Sequence, residues 1–455
     1  MEVTKHVFRE YDVRGIAETE LTNEFAEQLG KAFGSRLRKD GAKSVVIGRD
    51  VRESSPRLAQ NLGRGLMSTG LEVIDLGIIP TPGVYYGVNV LNGDGGVVIT
   101  GSHNPIEFNG FKMQVGKASI YGDEILDLAR RIEEQDFVTG EGSRREVDLQ
   151  SRYEEMIVEK CKPARKLKVV LDAGNGVAGP TARAVFHALG YDVTELYLEP
   201  DGNFPNHQPD PTVEKYMTDL KAKVREVGAD VGCGFDGDGD RIGIVTEEGK
   251  LLYGDQLLAL FARDALTRDP GAKIVFDVKC SKGLEEDIAA HGGKPIMWKT
   301  GHSLTKAKMK AEHAPVAGEM SGHMFFSQDF FGHDDALYAA ARFVAMLSKG
   351  DQTVSQIVDT LPKYVNSPEV RIECPDDRKF AIVDELAKEF ARDHDVIDID
   401  GARVSFEDGW GLVRPSNTQP VLVLRFEAKT AEGLERISNT FRNALSRYPE
   451  VRWTE

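Results

Sequence analysis

Residues 96–105 read Gly96-Val97-Val98-Ile99-Thr100-Gly101-Ser102-His103-Asn104-Pro105, and the rest of the chain can be placed around them. The apolar run 96–99 is typical of a buried parallel strand. Thr-Gly-Ser then interrupts the strand, and Asn-Pro favours a turn. The hydroxyl of Ser102 is therefore expected at the carboxyl end of a strand, where open α/β sheets bind their ligands. Taken alone, the hexapeptide 100–105 is equally compatible with an ordinary Ser/Asn-rich turn.

A strand–turn–helix–strand pattern precedes this stretch and recurs twice later in the chain. Strands are expected over 44–48 and 71–77, with a helix over 54–68 between them. The second copy has strands at 168–172 and 190–193, and the third has strands at 273–277 and 292–297, each pair separated by a helix. A helix over 22–39 precedes the first copy. The pattern predicts three similar α/β domains.

The C-terminal part of the sequence has a different order of elements. Strands are expected at 370–372, 403–406 and 421–426, with helices over 379–392 and 431–447. This order predicts an α+β domain with an antiparallel sheet. Polar or Pro-containing sequence places the boundaries near 148, 249 and 363. The expected domains are therefore 1–148, 149–249, 250–363 and 364–455.

Length and composition exclude several classes of protein. The 455 residues are too many for one hydrophobic core, so three or four domains are expected. A formal net charge of -16 disfavours a nucleic-acid partner, because a phosphate backbone requires a basic surface. No apolar run approaches the length of a membrane span, and the N-terminus lacks the apolar core of a signal peptide. The scattered Cys161, Cys233, Cys280 and Cys374 favour a reducing cytoplasm.

The strongest local signal is Asp236-Gly237-Asp238-Gly239-Asp240-Arg241. The glycines let the backbone curl so that three carboxylates can converge on one hard cation. Without a cation these charges would repel one another. Three carboxylates leave positions for water or a phosphate oxygen, as is usual for Mg²⁺. The alternative is a solvated acidic turn.

A calcium EF-hand is the competing interpretation of the same residues. Asp236, Asp238, Asp240 and Glu247 fall at EF-hand positions 1, 3, 5 and 12. However, position 6 should be glycine and is Arg241. The flanking segments 231–235 and 242–245 also have the composition of strands, whereas an EF-hand loop joins helices.

Three further polar stretches contain candidate binding groups. Glu319 and Ser321 alternate within Gly318-Glu319-Met320-Ser321-Gly322-His323, so that one face of an extended loop could carry both toward sugar hydroxyls. His323 is suited to proton transfer near neutral pH, although such a string taken alone is more often a polar turn with a surface histidine. Residues 414–420, Arg-Pro-Ser-Asn-Thr-Gln-Pro, suit a phosphate, although a plain turn explains them almost as well. The polar segment 8–15 is expected to form a loop.

Together these stretches resemble the α-D-phosphohexomutase family, most closely its bacterial phosphomannomutase/phosphoglucomutase branch. The resemblance covers essentially the whole chain, with the motifs in the family's order. It implies an α/β protein of three similar domains with mixed sheets and a C-terminal α+β domain, arranged around a central cleft. One departure is Ile-Glu-Phe at 106–108, where Pro-Asp-Tyr or a similar sequence is expected. Lys112 nevertheless stays in register.

The resemblance also implies roles for particular residues. Ser102 would be the phosphoserine, and an oxygen on it would join Asp236, Asp238 and Asp240 in holding Mg²⁺. The residues that would steady the phosphoserine, transfer protons or offset charge are His103, Lys112, His323 and Arg241. The residues that would bind substrate are Tyr11, Arg14, Lys279, His302, Glu319, Ser321, Arg414, Ser416, Asn417 and Thr418.

The implied reaction interconverts hexose 1-phosphate and hexose 6-phosphate, with mannose, glucose or both as the sugar. It would pass through a hexose 1,6-bisphosphate, which would also act as activator. The partners expected are therefore small-molecule sugar phosphates, and the protein is expected to be a monomer or weak dimer.

Three alternatives remain open at this point. Phosphoglucosamine mutase is the nearest, although that branch typically has Gln at the position of Met320. A phosphatase of the aspartyl-phosphate type would need its nucleophilic Asp after an early strand, whereas the triple-Asp segment lies in the middle of the chain. A non-catalytic sugar-phosphate sensor or a calcium-binding module would keep the binding residues without needing Ser102.

Overall fold

The computed structural model describes residues 4–416 and 419–452, which form four sheets. The first sheet has seven strands in the order β1-β5-β4-β2-β3-β7, with β6 paired to β5. A short 3-10 helix, Lys5–Val7, precedes it. The elements of this part are β1 (Val13–Ile16), α1 (Asn23–Lys39), β2 (Ser44–Arg49), α2 (Ser55–Met67), β3 (Glu72–Ile78), α3 (Thr81–Val90), β4 (Gly95–Ile99), β5 (Phe108–Val115), β6 (Ala118–Ser119), α4 (Asp123–Glu134) and β7 (Ser143–Glu146).

Local sequence explains how α1 begins and how closely it packs against α2. The Thr22 side chain accepts a hydrogen bond from the backbone N–H of Phe25 at 3.1 Å, and this caps α1. Glycines allow α1 and α2 to touch backbone to backbone. A Cβ added at Gly65 would lie 2.1 Å from the carbonyl oxygen of Glu27, so no larger residue fits there without a shift.

The second sheet has the order β12-β11-β10-β8-β9. A 3-10 helix, Glu214–Met217, leads into its last helix. The elements are α5 (Gln150–Lys160), β8 (Lys168–Asp172), α6 (Ala178–Ala188), β9 (Asp192–Leu196), α7 (Thr218–Val227), β10 (Val231–Phe235), β11 (Ile242–Thr246) and β12 (Leu251–Leu252).

The third sheet has the order β14-β13-β15-β16. Its elements are α8 (Gly254–Arg268), β13 (Lys273–Asp277), α9 (Lys282–Ala290), β14 (Lys294–Trp298), α10 (His302–Glu312), β15 (Val316–Gly318), β16 (Met324–Phe326), α11 (Ala336–Leu347) and α12 (Val354–Val358).

The last sheet is antiparallel throughout and has the order β17-β22-β21-β20-β19, with β18 also paired to β22. Its elements are β17 (Val365–Asn366), β18 (Val370–Glu373), α13 (Asp376–Phe390), β19 (Val396–Ile397), β20 (Ala402–Phe406), β21 (Gly409–Pro415), β22 (Val421–Ala428) and α14 (Ala431–Leu445).

The first three sheets share one feature that positions the site. In each, a buried strand runs parallel to one neighbour and then returns as an antiparallel strand: β4 to β5, β10 to β11, and β15 to β16. The three connections are the serine loop (residues 100–107), the aspartate loop (236–241) and the glutamate loop (319–323). The three loops therefore occupy the same place in three similar sheets.

The hydrophobic cores follow the same division. One large cluster of buried apolar side chains joins helices and strands of the first three sheets, and the last sheet with α13 and α14 encloses a cluster of its own. Arg403 joins the last unit to the third. Its guanidinium lies 3.6 Å from the centre of the Trp410 ring in its own unit. It also donates a 2.8 Å hydrogen bond to the carbonyl of Cys280 in the third unit. All four cysteines are buried and free. Within the described residues, no helix has both the length and the apolarity to cross a membrane.

The predicted fold class, three similar α/β units with mixed sheets and a C-terminal α+β unit, is confirmed. Two local predictions were wrong. Segment 8–15 is not all loop, because β1 pairs with β5. Arg414 lies inside strand β21 and not in a turn, because β21 pairs with β22 as far as Pro415.

Candidate active site

The serine loop presents Ser102 at the carboxyl end of β4, as the sequence predicts. The Ser102 hydroxyl donates to Asp236 Oδ2 at 2.8 Å and lies 3.0 Å from His103 Nδ1. Ser102 is buried and has a φ of 48°, in the left-handed region that residues other than glycine rarely adopt. Its backbone N–H donates to the Thr100 hydroxyl at 2.8 Å. The hydroxyl is thus held in a strained turn that faces a carboxylate.

The aspartate loop curls as its glycines predict. Oδ1 of Asp236 accepts three backbone N–H groups, those of Gly239, Asp240 and Arg241, at 3.0 to 3.1 Å. Gly237 allows the loop to approach the serine loop, because a Cβ there would lie 2.4 Å from the carbonyl oxygen of Ser102. The glycines therefore serve both the curl and the contact between the two loops.

The three carboxylates of Asp236, Asp238 and Asp240 converge as predicted. Each residue is fully buried, and one ligand oxygen from each lies within 4.8 Å of the others. Oδ1 of Asp238 and Oδ1 of Asp240 are buried without a hydrogen-bond partner among the described residues. A hard divalent cation suits such a donor set.

Lys112 reaches the same carboxylates from β5. Its Nζ donates to Asp238 Oδ2 at 2.7 Å and also to Asp240, and the Thr81 hydroxyl donates to Asp238 Oδ2 at 2.6 Å. Burial and the two neighbouring carboxylates raise the pKa of Asp236 well above its ordinary value. Burial would also raise the pKa of Asp238, but the Lys112 ammonium outweighs it and holds that pKa low.

His323 and Arg241 join the aspartate and glutamate loops. The two residues form an isolated β-bridge, and Arg241 Nε donates to His323 Nε2 at 2.9 Å. The other ring nitrogen of His323, Nδ1, lies 3.0 Å from Asp334 Oδ2 and 3.6 Å from Asp240 Oδ1. Arg241 also lies 3.5 Å from His103 through Nη1. A polar chain therefore runs from His323 through Arg241 and His103 to Ser102.

Glu319 and Ser321 project from the hairpin between β15 and β16. Glu319 Oε1 accepts from the Thr305 hydroxyl at 2.7 Å and from the Gly301 backbone N–H at 3.2 Å. The Ser321 hydroxyl donates to Glu319 Oε2 at 3.1 Å. Burial raises the pKa of Glu319. The pair forms a set of polar groups at the end of β15, as the alternating spacing predicts.

His302 and Lys279 lie on neighbouring elements of the third unit. The His302 ring stacks on that of His323 with centroids 5.6 Å apart, and its Nδ1 lies 3.9 Å from Asp334. Burial holds the pKa of His302 well below its ordinary value. Lys279 Nζ lies 3.4 Å from Glu369, which belongs to the last unit and lies between β17 and β18. The Lys279 ammonium lowers the pKa of Glu369 to about 2.

Tyr11 and Arg14 reach the site from the N-terminal segment. The Tyr11 hydroxyl donates to the carbonyl of Thr300 at 2.6 Å, and its ring lies 6.3 Å from that of His302. Arg14 Nη1 donates to Asn104 Oδ1 on the serine loop at 2.9 Å. The predicted N-terminal residues therefore contact the serine loop and the segment between β14 and α10.

Arg414 is buried on β21 and pairs with Asp400, with 3.1 Å between Nη2 and Oδ2. Burial opposes the charge of Arg414, but Asp400 outweighs it and raises its pKa. Asp400 also accepts the backbone N–H of Thr300 at 3.0 Å, which ties the last unit to the third. Ser416 accepts from the backbone N–H of Gln419 at 3.2 Å. The predicted residues Asn417 and Thr418 lie outside the described residues.

Sequence reasoning missed three groups: Thr81, Asp334 and Asp400. Asp334 is fully buried and lies beside both His323 and His302, and its Oδ1 accepts from Lys306 Nζ at 3.0 Å. The only local signal for it is the string His333-Asp334-Asp335 ahead of α11. Thr81 and Asp400 carry no motif, because only the folded chain brings them to the site.

The fold and the site together define a multi-domain α/β protein with a buried serine that faces three carboxylates. Sequence profiles of phosphoglucomutase/phosphomannomutase match four consecutive regions: alpha/beta/alpha domain I over 5–139, domain II over 151–249, domain III over 253–364, and the C-terminal domain over 369–444. The chain therefore belongs to the phosphoglucomutase/phosphomannomutase family, which confirms the resemblance seen in its motifs.

Individual relatives align with this chain over nearly their whole length. A phosphomannomutase/phosphoglucomutase of Pseudomonas aeruginosa is 48% identical, with 96% of this chain and 95% of the relative aligned. A phosphoglucomutase of Neisseria gonorrhoeae is 44% identical over 99% of each chain. A crystal structure of a phosphoglucomutase/phosphomannomutase family protein from Burkholderia thailandensis superposes with a TM-score of 0.93 at 44% identity, covering 98% of both chains.

Proposed function

We propose that the protein is a phosphohexomutase that interconverts the 1-phosphate and 6-phosphate of glucose and of mannose. The observation that carries the proposal is the Ser102 hydroxyl, held 2.8 Å from Asp236 at the meeting point of the serine and aspartate loops. A nucleophilic serine beside a buried carboxylate cluster suits phosphoryl transfer, which requires positioning and charge neutralisation more than covalent help. Relatives over 40% identical are named for phosphoglucomutase, which supports glucose as the sugar, and those from Pseudomonas are named for phosphomannomutase as well, which supports mannose.

The reaction comprises two phosphoryl transfers through Ser102. In the first, the P–O bond to Ser102 breaks and a P–O bond forms to the free hydroxyl of the sugar phosphate, whose proton passes to a base. The product is a hexose 1,6-bisphosphate. In the second, the other phosphoryl group returns to Ser102, and the sugar oxygen regains a proton. A covalent phosphoserine thus divides the isomerisation into two similar steps.

The metal assigned to the site is Mg²⁺, which Asp236, Asp238, Asp240 and an oxygen on Ser102 would hold. The unpartnered, buried carboxylate oxygens of this cluster fit a hard cation. When bound, the ion supplies charge neutralisation for the phosphoryl group. Lys112 adds a positive charge beside the same carboxylates.

Four side chains of the chain itself serve the transfer. His103 steadies the oxygen on Ser102. Arg241 lies between His103 and His323 and offsets the negative charge that develops there. We assign proton transfer to His323, on the glutamate loop, and to Lys112, on β5 beside the aspartate loop. His323 is oriented by Arg241 on one ring nitrogen, with Asp334 beside the other.

The substrate is held by groups on either side of the serine. We assign the sugar hydroxyls to Glu319 and Ser321, because their oxygens lie side by side at the end of β15. The phosphate that does not react is assigned to the last unit. Arg414 offers a guanidinium suited to two-point recognition of a phosphate. The groups proposed to grip that phosphate are Arg414, Ser416, Asn417 and Thr418, and those proposed to line the rest of the pocket are Tyr11, Arg14, Lys279 and His302.

The proposal also covers the compartment in which the protein acts and the kind of molecule that it binds. The free, buried state of all four cysteines supports action in the cytoplasm. A net charge of -16 confines anion recognition to the local basic groups of the site, which fits small sugar phosphates as partners.

A coupled turnover assay tests the proposal. Purified protein receives Mg²⁺, a trace of hexose 1,6-bisphosphate and, in separate reactions, the 1-phosphates of glucose, mannose and glucosamine. We expect turnover of the first two and its loss in Ser102→Ala. Ser151→Ala, at an exposed position on α5, is the matched control and should retain turnover. Turnover of glucosamine 1-phosphate alone would move the protein to another branch, and no turnover of any sugar would overturn the proposal.

A further inference from the structure

The serine loop is wrapped around one buried side chain that the motifs do not include. Arg52 lies between β2 and α2 and is 1% exposed. Its Nη1 donates to the carbonyls of Pro105 at 2.6 Å and Phe108 at 3.0 Å. Its Nη2 donates to the carbonyls of Ser102 at 2.9 Å and Asn104 at 2.6 Å. One guanidinium therefore holds four backbone carbonyls of a single turn, including that of Ser102 itself.

We propose that Arg52 is the positioning residue for Ser102: its guanidinium fixes the serine loop so that the hydroxyl is presented to substrate in one orientation. The inference rests on the phosphohexomutase function proposed above and deepens it, since it names what holds the nucleophile. Arg52 reaches the reaction only through backbone carbonyls.

The terminal nitrogens of Arg52 are directed to the loop carbonyls, and its Nε side lies against the carboxylate of Asp50. The nearest carboxylate oxygen, on Asp50, lies 3.3 Å from Arg52 Nε, and that Nε has no hydrogen-bond partner among the described residues. Asp50 instead accepts the backbone N–H of Gly101 at 3.0 Å. A buried cation is costly unless its donors are satisfied, and here the loop carbonyls satisfy the terminal donors. If the serine loop changed shape, these buried donors would lose their acceptors. The burial of Arg52 therefore favours one conformation of the loop.

The conformation of Ser102 is a second and independent observation. Its φ of 48° is uncommon for a residue with a side chain, and such backbone persists only where its surroundings impose it. The hydrogen bond from Arg52 to the Ser102 carbonyl acts directly on this strained peptide. Removing the donor would free the turn to relax.

The fit around Arg52 is close on every side. A Cβ added at Gly101 would lie 2.4 Å from Arg52 Nε, so the loop can approach only because that residue is glycine. From the second unit, the Phe204 ring lies 5.2 Å from the guanidinium carbon. Gln208 of the same unit donates to the carbonyls of His103 and Asn104, both at 2.7 Å. The contacts fix the serine loop against the unit that carries the aspartate loop.

The test is Arg52→Lys, which keeps the charge but loses the planar fork that can serve four carbonyls. Since a displacement of about 1 Å can cost about 10²-fold in rate, we expect kcat to fall by about that factor. KM should stay within about 2-fold, because Arg52 does not touch substrate. Single-turnover transfer from the phosphorylated enzyme to glucose 1-phosphate should slow by the same factor as kcat. A merely structural role would lower the amount of folded enzyme and leave this rate constant unchanged.

Arg165→Lys is the matched control. Arg165 also donates to a backbone carbonyl, that of Gly350, through Nε at 3.2 Å and Nη2 at 3.0 Å, away from the serine loop. Arg165→Lys should retain wild-type kcat. Gln208→Ala, which removes two loop contacts from the other side, should lower kcat by about 10-fold and decides the matter if Arg52→Lys does not fold.

The outcomes separate this inference from the proposed function. A wild type without mutase turnover would overturn the function. Wild-type turnover combined with an unchanged kcat in Arg52→Lys, or with a rise in KM alone, would overturn the positioning role. If Arg52→Lys does not fold, unchanged kinetics in Gln208→Ala would also overturn it.

Discussion

Asp335 is expected to make the chain less stable as the pH rises from about 4 toward 7. Its carboxylate is fully buried at the start of α11, where it accepts from the Tyr338 backbone N–H at 2.8 Å and from the Tyr153 hydroxyl at 2.7 Å. Burial raises the pKa of Asp335 to about 7. The neighbouring Asp334 adds to the rise, whereas the two hydrogen bonds act against it.

The direction and size of the change in the free energy of unfolding follow from the pKa of Asp335 in the unfolded and in the folded chain. An unfolded Asp titrates near 3.8, so between about pH 4 and 7 the folded chain keeps a proton that the unfolded chain has lost. The free energy of unfolding therefore falls across this window and is level above it. Each pKa unit is worth about 1.4 kcal/mol, so the interval of about two units from pH 5 to the folded pKa corresponds to about 3 kcal/mol.

Asp335→Asn removes the ionisation while keeping a side chain that caps helices well. Urea unfolding followed by circular dichroism at several values from pH 5 to 8 measures the effect. Relative to wild type, the free energy of unfolding of Asp335→Asn should rise by about 3 kcal/mol from pH 5 to 8. Tyr153→Phe should do the opposite, because it removes a hydroxyl that lowers the pKa of Asp335. Parallel pH curves for wild type and Asp335→Asn would refute the reasoning.

Four other expectations concern the site, and steady-state kinetics with glucose 1-phosphate measures each. Asp334→Asn should lower kcat by about 10-fold with KM nearly unchanged, because it removes the carboxylate beside the His323 ring; an unchanged kcat counts against this. Asp400→Asn should raise KM several-fold, since it loosens the buried guanidinium it pairs with; a KM equal to wild type contradicts it. Gly237→Ala places a Cβ 2.4 Å from a serine-loop carbonyl and should cost at least about 10-fold in kcat; wild-type rates would show that the loops can separate freely. Chelation should abolish turnover and added Mg²⁺ should restore it; activity in excess chelator would exclude the metal assignment.

Features encoded by consecutive residues were predictable from the sequence. The strand before Ser102, the strands on either side of the aspartate loop and the helix expected over 22–39 all depend on neighbours within a few residues. Short-range periodicity and turn chemistry are sufficient for such features.

Features set by pairing across the sheet were not predictable in this way. The polar segment around Arg14 forms β1 only because β5 offers it an antiparallel partner. The segment around Arg14 has the composition of a loop, and pairing with β5 overrides that preference. Asp334 and Arg52 show the same limit for the site. Both are ordinary charged residues in sequence, and only the folded chain surrounds one with histidines and the other with carbonyls.

The repeated architecture explains why a site spread over the chain could still be read from short motifs. Each of the first three sheets contributes one loop from the same position, between a parallel strand and its antiparallel return. Neighbouring loops then meet directly: Gly237 lies against the Ser102 carbonyl, and Arg241 forms a bridge with His323. Because each loop is a local hairpin, its functional side chains belong to consecutive residues and form a recognisable motif. Because the loops meet only through the packing of the units, the residues that align them, such as Arg52 and Asp334, carry no motif.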